Sequence, residues 1–277
     1  MLTSTKTIYS IFLQLQKLRN SNFKIYPYTT INEKFNINSK LPIKLGEYPS
    51  INYSVIGNGG HKEITDSTGT QLKSIRHKPT HASLYNFIPY RAIPLNQDIE
   101  ENTEDLRLRI VKKINDIDYA IYYAKKLKIT SSPSLFKLTI DKGVIKTENF
   151  VPDQANLNPN EVLLHPNILE PHNTYLVALD TVNFELSTQE IEWIHEAYKI
   201  IQEDENALFP IISEIGICSG LELETVKEIN GLKYNYKDAY AVQICYFINS
   251  IYKLFEFKDT GLNKYFHIGS MEPVLDY

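Results

Sequence analysis

The hydrophobic residues near the amino terminus recur with a helical period. Between Ser4 and Asn20 the apolar positions are Ile8, Ile11, Phe12, Leu15 and Leu18. Their spacing of three and four residues predicts an amphipathic helix. Residues 22–50 show no sustained period and contain Pro27, Pro42 and Pro49. Irregular runs of about 30 residues are uncommon inside compact domains, so residues 1–50 are expected to form a helix and an extended arm that contacts a neighbouring subunit.

Alternation of apolar and polar residues predicts a β-rich region over residues 51–186. Leu106–Leu127 contains two alternating runs around Asn115-Asp116. The apolar positions would also line one helix face, but Asn-Asp favours a two-residue turn, so a hairpin is predicted. A second hairpin is predicted around Asp141-Lys142-Gly143. Shorter strands are expected at Asn52–Ile56, Tyr175–Asp180 and Asn183–Leu186.

The spacing of apolar residues becomes helical in residues 187–277. Ser187 and Glu190 have the spacing of a capping box, which predicts a helix through Ile191, Ile194, Tyr198 and Ile201. Asp238 is expected to cap a long final helix. The predicted fold class is therefore α+β: an N-terminal helical arm, a central antiparallel β region with hairpins, and a C-terminal helical region that packs as one unit with the β region.

Composition narrows the functional classes. The net charge of −4 and the charged content of 22% give no overall attraction to nucleic acid or to anionic membranes. No apolar run reaches the ~18–20 residues of a membrane span. The amino terminus lacks the apolar core and cleavage site of a signal peptide, so the protein is expected to be made in a cytoplasm. Two cysteines are too few for a disulfide scaffold.

The segment Tyr53–Pro94 organises the chain. It contains four of the 11 glycines and three of the seven histidines. We expect a long ordered loop that contacts other subunits through Gly57, Asn58, Gly59, Gly60, His61, His81, Tyr85 and Pro89. Lys62 stands where a dinucleotide fingerprint needs its third glycine, and no Ser or Thr follows it as a phosphate loop requires. No cofactor is predicted.

Three alternatives stay open. His61, His77 and His81 could bind a metal, although Pro79 opposes the helix that would present the last two together. Gly216–Gly220 fits a nucleophile elbow with Cys218 as the nucleophile of a hydrolase, but no series of βαβ units precedes it. A basic group could contact DNA phosphates, although acidic neighbours partly neutralise it: Arg107, Arg109, Lys112, Lys113, Lys125, Lys126 and Lys128.

Four segments carry a resemblance to a known class of proteins: GNGGH, HKPTHASLYNFIPYR, FPIISEIGICSG and GSMEP. In order and spacing they resemble a family of virion structural proteins of tailed bacteriophages, over most of the chain from Tyr53 onward. Ile, Asn, Lys and Tyr are abundant, as they are in proteins encoded by AT-rich genomes. In this respect the composition is similar to that of crAss-like phages of the gut. The resemblance implies a tail, neck-ring or baseplate subunit located in the virion, and it transfers no catalytic residues.

The function expected from the sequence is assembly, not catalysis. The predicted partners are copies of the same chain in a ring or collar of the portal-connector, tail or baseplate, together with other virion tail and portal proteins. No membrane partner is expected. The enzymatic alternative is a Cys218 hydrolase or a metal-dependent enzyme that uses His61, His77 and His81.

Overall fold

A computed structural model describes residues 3–19, 22–66, 69–98, 103–129, 132–152, 173–229 and 231–273. Of the described residues, 54% lie in strands and 15% in helices. The α+β prediction with helical N- and C-terminal regions is therefore wrong, because the protein is mostly antiparallel β-sheet and its described C-terminal end is a strand.

The strands are numbered in chain order: β1 Thr3–Lys6, β2 Ser50–Gly57, β3 His61–Asp66, β4 Gly69–Ser74, β5 Phe87–Ile88, β6 Arg91–Pro94, β7 Leu106–Ile114, β8 Ile117–Lys126, β9 Ser134–Asp141, β10 Val144–Asn149, β11 Thr174–Leu186, β12 Ile211–Ile229, β13 Leu232–Lys253 and β14 Leu262–Pro273. The helices are α1 Ile8–Leu18, α2 Ile31–Phe35 and α3 Thr188–Gln202, and a 3₁₀ turn spans Leu254–Phe257. None of the helices described is long and apolar enough to cross a membrane.

The chain forms two compact units. The larger comprises Met1–Leu127 and Phe184–Asn263, and the smaller comprises Lys128–Asn183 and Lys264–Tyr277. This division differs from the predicted one of 1–50, 51–186 and 187–277. The larger unit contains an eight-stranded sheet in the order β1-β13-β12-β2-β8-β6, with β5 paired to β2 and β7 paired to β8. A four-stranded sheet has the order β10-β9-β11-β14, and β3 and β4 form a two-stranded sheet.

The predicted hairpins are confirmed. In the first, Ile114 pairs with Ile117 across Asn115 and Asp116, whose φ angles are 48° and 63°. Left-handed backbone at both turn positions is the geometry of a tight hairpin, and Asn and Asp tolerate it well. In the second, β9 and β10 flank Lys142 and Gly143, again with positive φ at both residues.

The predicted final helix is a strand. Asp238 and the residues after it belong to β13, which pairs with β12 on one side and, at Tyr246–Asn249, with β1 on the other. Residues 238–249 are buried along both faces of the sheet. A strand covered on both faces reads as a continuous apolar run, and such a run lacks the alternation that identifies a strand. By contrast, the helix predicted from Ser187 is confirmed as α3, with both hydrogen bonds of its capping box present.

The predicted arm lies partly on its own sheet. The helix α1 is confirmed, and the Oγ1 of its N-cap Thr7 accepts a hydrogen bond from the backbone N of Ser10. The following segment is not an extended arm throughout, because a second capping box starts α2, and Ile31 and Ile37 are buried in the main core cluster. Nearby, the side-chain Nδ2 of Asn32 donates to the carbonyl oxygens of Ile37 and Ala239, both at 2.9 Å.

Candidate functional site

One buried carboxylate forms hydrogen bonds with several residues of the segment Tyr53–Pro94. Glu214 of β12 has no exposed side-chain surface. Its Oε1 accepts hydrogen bonds from the backbone N of Gly59 at 3.0 Å and of Asn86 at 2.9 Å. Its Oε2 accepts from the backbone N of Tyr85 at 2.9 Å and is 2.8 Å from the Nε2 of His77. A buried carboxylate is tolerated only when hydrogen bonds replace its water, and these four partners do so.

The glycines permit the backbone to approach this carboxylate. A Cβ atom added to Gly57 would contact the carbonyl oxygen of Asn86, and one added to Gly60 would lie 2.7 Å from the carbonyl oxygen of Ser213. The backbone N of Gly60 also donates to the Oγ of Ser213 at 2.9 Å. Glycine is therefore required here for close packing, not for left-handed backbone. The sequence predicted the turn but not its partner, Glu214.

His77 is held rigidly beside Glu214. Its ring stacks between Tyr85 and Phe247, with centroid distances of 4.5 Å and 3.8 Å. Its Nδ1 lies 3.1 Å from the Nδ1 of His81, so the two imidazoles and the carboxylate form one hydrogen-bonded chain. Partial burial, together with the charges of His77 and Lys78, lowers the pKa of His81 below its usual value.

This chain of groups can exchange a proton between Glu214 and His81, but its surroundings favour a structural role. Catalysis also needs a place for a substrate beside the outermost group. The grooves described below are lined by other residues. All four partners of Glu214 are backbone N–H groups or a ring nitrogen within residues 57–86, so the carboxylate holds those positions. We interpret the network as the fastening that joins this segment to β12.

The remaining residues of the predicted loop are distributed separately. His61 begins β3 and lines a groove with Asn58, while Tyr85 donates its hydroxyl to the carbonyl of Arg76 at 3.2 Å. Pro89 is buried after β5. The structure brings His77 and His81 together but shows no contact of either with His61. Within the described ranges, no group of three His, Cys, Asp or Glu side chains is placed to hold a metal ion.

Cys218 lies in the middle of β12 and not on a strand-to-helix turn. Its side chain is completely buried, and its thiol donates weakly to the carbonyl of Gly216 at 3.5 Å. Burial raises the pKa of this thiol well above its usual value, with Cys245 as a smaller cause. A nucleophilic cysteine needs an accessible thiolate, and this environment opposes both requirements.

The predicted basic group is largely neutralised by its neighbours. Arg107 and Arg109 are mostly buried, and their charges are paired with Glu222 and Asp98, each at 2.9 Å. Further ion pairs are formed by Lys113 with Asp116, by Lys125 with Glu190 and by Lys126 with Glu222. Paired cations cannot release counterions from DNA as free ones do, so this face offers little to a phosphate backbone.

The apolar face of α1 points outward. Ile8, Ile11, Leu15 and Leu18 form what we call the apolar stripe, and their exposed fractions are 48%, 41%, 53% and 83%. The face turned toward the sheet carries Ser10, Leu13 and Gln16 instead. This is the reverse of an ordinary surface helix, which buries its apolar stripe. Beside the stripe, the ring of Phe12 contacts that of Tyr26, and a cleft of about 220 Å³ lies between α1 and Tyr26.

A second surface feature lies at the C-terminal end of α3. A groove of about 490 Å³ is lined by Asn58, His61, Tyr198, Asp204, Leu208 and Phe209, among others. We call it the acidic groove, because Asp204 lines it and stands in the chain between Glu203 and Glu205, and all three side chains are exposed. Leu208 on its rim is 85% exposed. The Nδ1 of His61 is buried without a hydrogen-bond partner among the described residues.

The family comparison covers the whole chain. A family model described as a family of unknown function (DUF7208) matches residues 1–277. The chain belongs to this family. No curated protein matches it, and no solved structure does so either. The description of the family names no activity, and the resemblance to phage virion proteins stays an expectation from the sequence.

Two functional features were missed by the sequence reasoning. Glu214 carried a signal, because it is the only acid in the apolar run Phe209–Cys218, and a lone acid there must find buried partners. No feature of the sequence indicated that the apolar stripe faces outward. Helical spacing identifies an apolar face but does not say whether the protein's own core or a partner covers it.

Proposed function

We propose that the chain is a non-enzymatic structural subunit of a tailed-phage virion, which assembles with copies of itself into a ring or collar of the portal-connector, tail or baseplate complex. The observation that carries the assembly part is the outward apolar stripe of α1. The virion part rests on the resemblance of the four sequence segments, and it makes other tail or portal proteins the expected neighbours.

The stripe has the features of an interface, not of ordinary surface. Burying an aliphatic side chain is worth about 1.5–3 kcal/mol relative to leaving it exposed, so four exposed aliphatic residues leave substantial free energy to be gained on association. The residues are separated by three, four and three positions, which is the seam spacing of one helix packed against another surface. Contiguous exposed apolar area of this kind marks interaction sites.

The geometry gives the enzymatic alternatives less support. Cys218 is buried within a sheet, and His61 lies apart from the hydrogen-bonded pair His77 and His81. The Glu214 network joins backbone and ring groups of residues 59–86 to β12. These features suit a subunit that must keep one shape within an assembly.

Negative-stain electron microscopy of the purified full-length chain, examined across a range of protein concentrations, tests this function. The expected result is closed rings or arcs of uniform width, whose proportion grows with concentration. The proposal is overturned if the particles stay single subunits at every concentration. Stoichiometric metal in the purified protein, or thiol-dependent esterase activity that Cys218→Ala removes, would favour the enzymatic alternative.

A further inference from the structure

The rim of the apolar stripe is basic. Arg19 lies four positions after Leu15 on that side of α1, whereas Lys17 lies seven positions after the sheet-facing Ser10. Lys6, Lys17, Arg19 and Lys24 lie on or beside α1, and the first acidic residue of the chain is Glu33. The side chains of Lys17, Arg19 and Lys24 are exposed. That of Lys6 is half-buried, and its Nζ lies 3.3 Å from the Oε1 of Gln14. A surface that covers the stripe would therefore be stabilised by acidic residues around an apolar centre.

The acidic groove offers that combination on the same larger unit. Leu208 protrudes from its rim beside Phe209, whose ring lies 6.0 Å from that of the exposed Phe255. The adjacent run Glu203–Glu205 supplies three negative charges. The cleft of about 220 Å³ beside the stripe has room for an aliphatic side chain such as that of Leu208.

The apolar stripe and the acidic groove lie beside opposite ends of the strand order of the eight-stranded sheet. The strand β1, which leads into α1, is the edge strand at one end of the strand order. The helix α3, whose C-terminal end forms the groove, packs against β6 at the other end of that order. No described residue of α1 lines the groove. The stripe and the groove of one copy are therefore available to two different neighbours.

We infer that the apolar stripe of one copy docks on the acidic groove of the next, with Leu208 seated beside α1 and Glu203–Glu205 facing Arg19. This inference rests on the proposed function, and it makes the contact head-to-tail. A heterologous contact of this kind produces a ring when its rotation closes, whereas a two-fold contact stops at a dimer.

Pairing of the stripe with the stripe of a second copy is the competing arrangement. It would bring two basic rims together with no acidic residue from either helix to compensate, and like charges across an interface oppose association. The two arrangements predict opposite signs for the same substitution. In the head-to-tail contact, Arg19→Glu weakens association, whereas in the stripe-to-stripe contact it strengthens association.

A charge swap in the full-length chain tests the inference, with self-association measured by sedimentation velocity. We expect Arg19→Glu and Glu205→Lys each to raise the apparent dissociation constant about five- to tenfold, and the double variant to recover most of the loss, because the pair is restored with its signs exchanged. Raising the salt concentration should shrink all of these differences. Gln189→Lys, an exposed change of charge at the other end of α3, is the matched control and should have little effect.

Each other outcome is decisive. If the chain associates but Glu205→Lys does not alter association, the groove is not the partner surface and the inference fails, while the proposed function stands. If Arg19→Glu strengthens association, the stripe pairs with itself and the inference fails. If the unmodified chain does not associate at all, the proposed function fails as well.

Discussion

The Nε2 of His77 lies 2.8 Å from the Oε2 of Glu214, and both side chains are shut off from solvent. The two residues are 137 positions apart in the chain. Together they fix the segment around residues 57–86 to the centre of the large sheet. The same carboxylate also accepts three backbone hydrogen bonds, so four hydrogen-bond partners from residues 59–86 converge on it.

Glu214→Gln should destabilise the protein strongly. The amide replaces one acceptor oxygen with a donor that must face N–H groups, which leaves buried groups without partners. We expect a loss of about 3–5 kcal/mol in the free energy of unfolding, measured by urea denaturation. Glu224→Gln, at an exposed position on the same strand, is the control and should change stability by less than about 0.5 kcal/mol. Equal effects of the two substitutions would contradict the role assigned to Glu214.

Stability should fall in mildly acidic solution partly because of His81. Its pKa is lowered in the folded protein from its usual value of 6.5. Below pH 6.5 the unfolded state therefore binds more protons at this residue than the folded state does, so acidification favours unfolding. We expect the unfolding free energies of the unmodified chain and of His81→Gln to converge or cross as the pH falls from about 7.5 to about 5.5. Parallel pH profiles for the two proteins would exclude this contribution.

Ala241→Gly should be unusually well tolerated. Ala241 has a φ of 55° within β13, a conformation that costs an L-residue about 1 kcal/mol and costs glycine little. We expect a change of no more than about 0.5 kcal/mol or a slight gain in stability, by urea denaturation. Ala239→Gly on the same strand, where φ is not positive, should instead lose about 1 kcal/mol or more. A larger loss at Ala241 than at Ala239 would show that the backbone there is not strained.

The thiols of Cys218 and Cys245 should be inert in the folded protein. Burial raises the pKa of both groups. A thiol that is neither ionised nor accessible reacts slowly with disulfide reagents. Ellman's reagent should therefore detect almost no thiol before unfolding and two per chain after it. Rapid modification of one thiol in the native protein would contradict this expectation and support a nucleophilic cysteine.

The parts of the fold that could be predicted from sequence are those specified by neighbouring residues. Asn115, Asp116 and Gly143 favour the left-handed backbone that a two-residue hairpin needs. Ser187 and Glu190 satisfy each other's helix-terminus hydrogen bonds. These interactions span three or four positions, so no knowledge of the rest of the molecule is required.

The parts that could not be predicted depend on distant contacts. The strand β13 resembles a helix in sequence because both of its faces are covered, so its apolar residues are continuous. Asn32 looks like an ordinary polar residue, yet its Oδ1 accepts the backbone N of Val242 at 2.8 Å, 210 positions away. The stripe of α1 fits its predicted helix, but only the packing of Ser10, Leu13 and Gln16 against the protein shows that the stripe faces outward.

The proposed assembly depends most on this stripe, which joins copies of the chain. The most direct test compares the sedimentation of the unmodified protein with that of Leu15→Lys, with Gln189→Lys as a control for added charge. We expect concentration-dependent species heavier than the 32.0 kDa chain for the unmodified protein and the control. We expect a folded monomer, with an unchanged unfolding midpoint, for Leu15→Lys. Sedimentation of Leu15→Lys identical to that of the unmodified protein would contradict the proposed assembly.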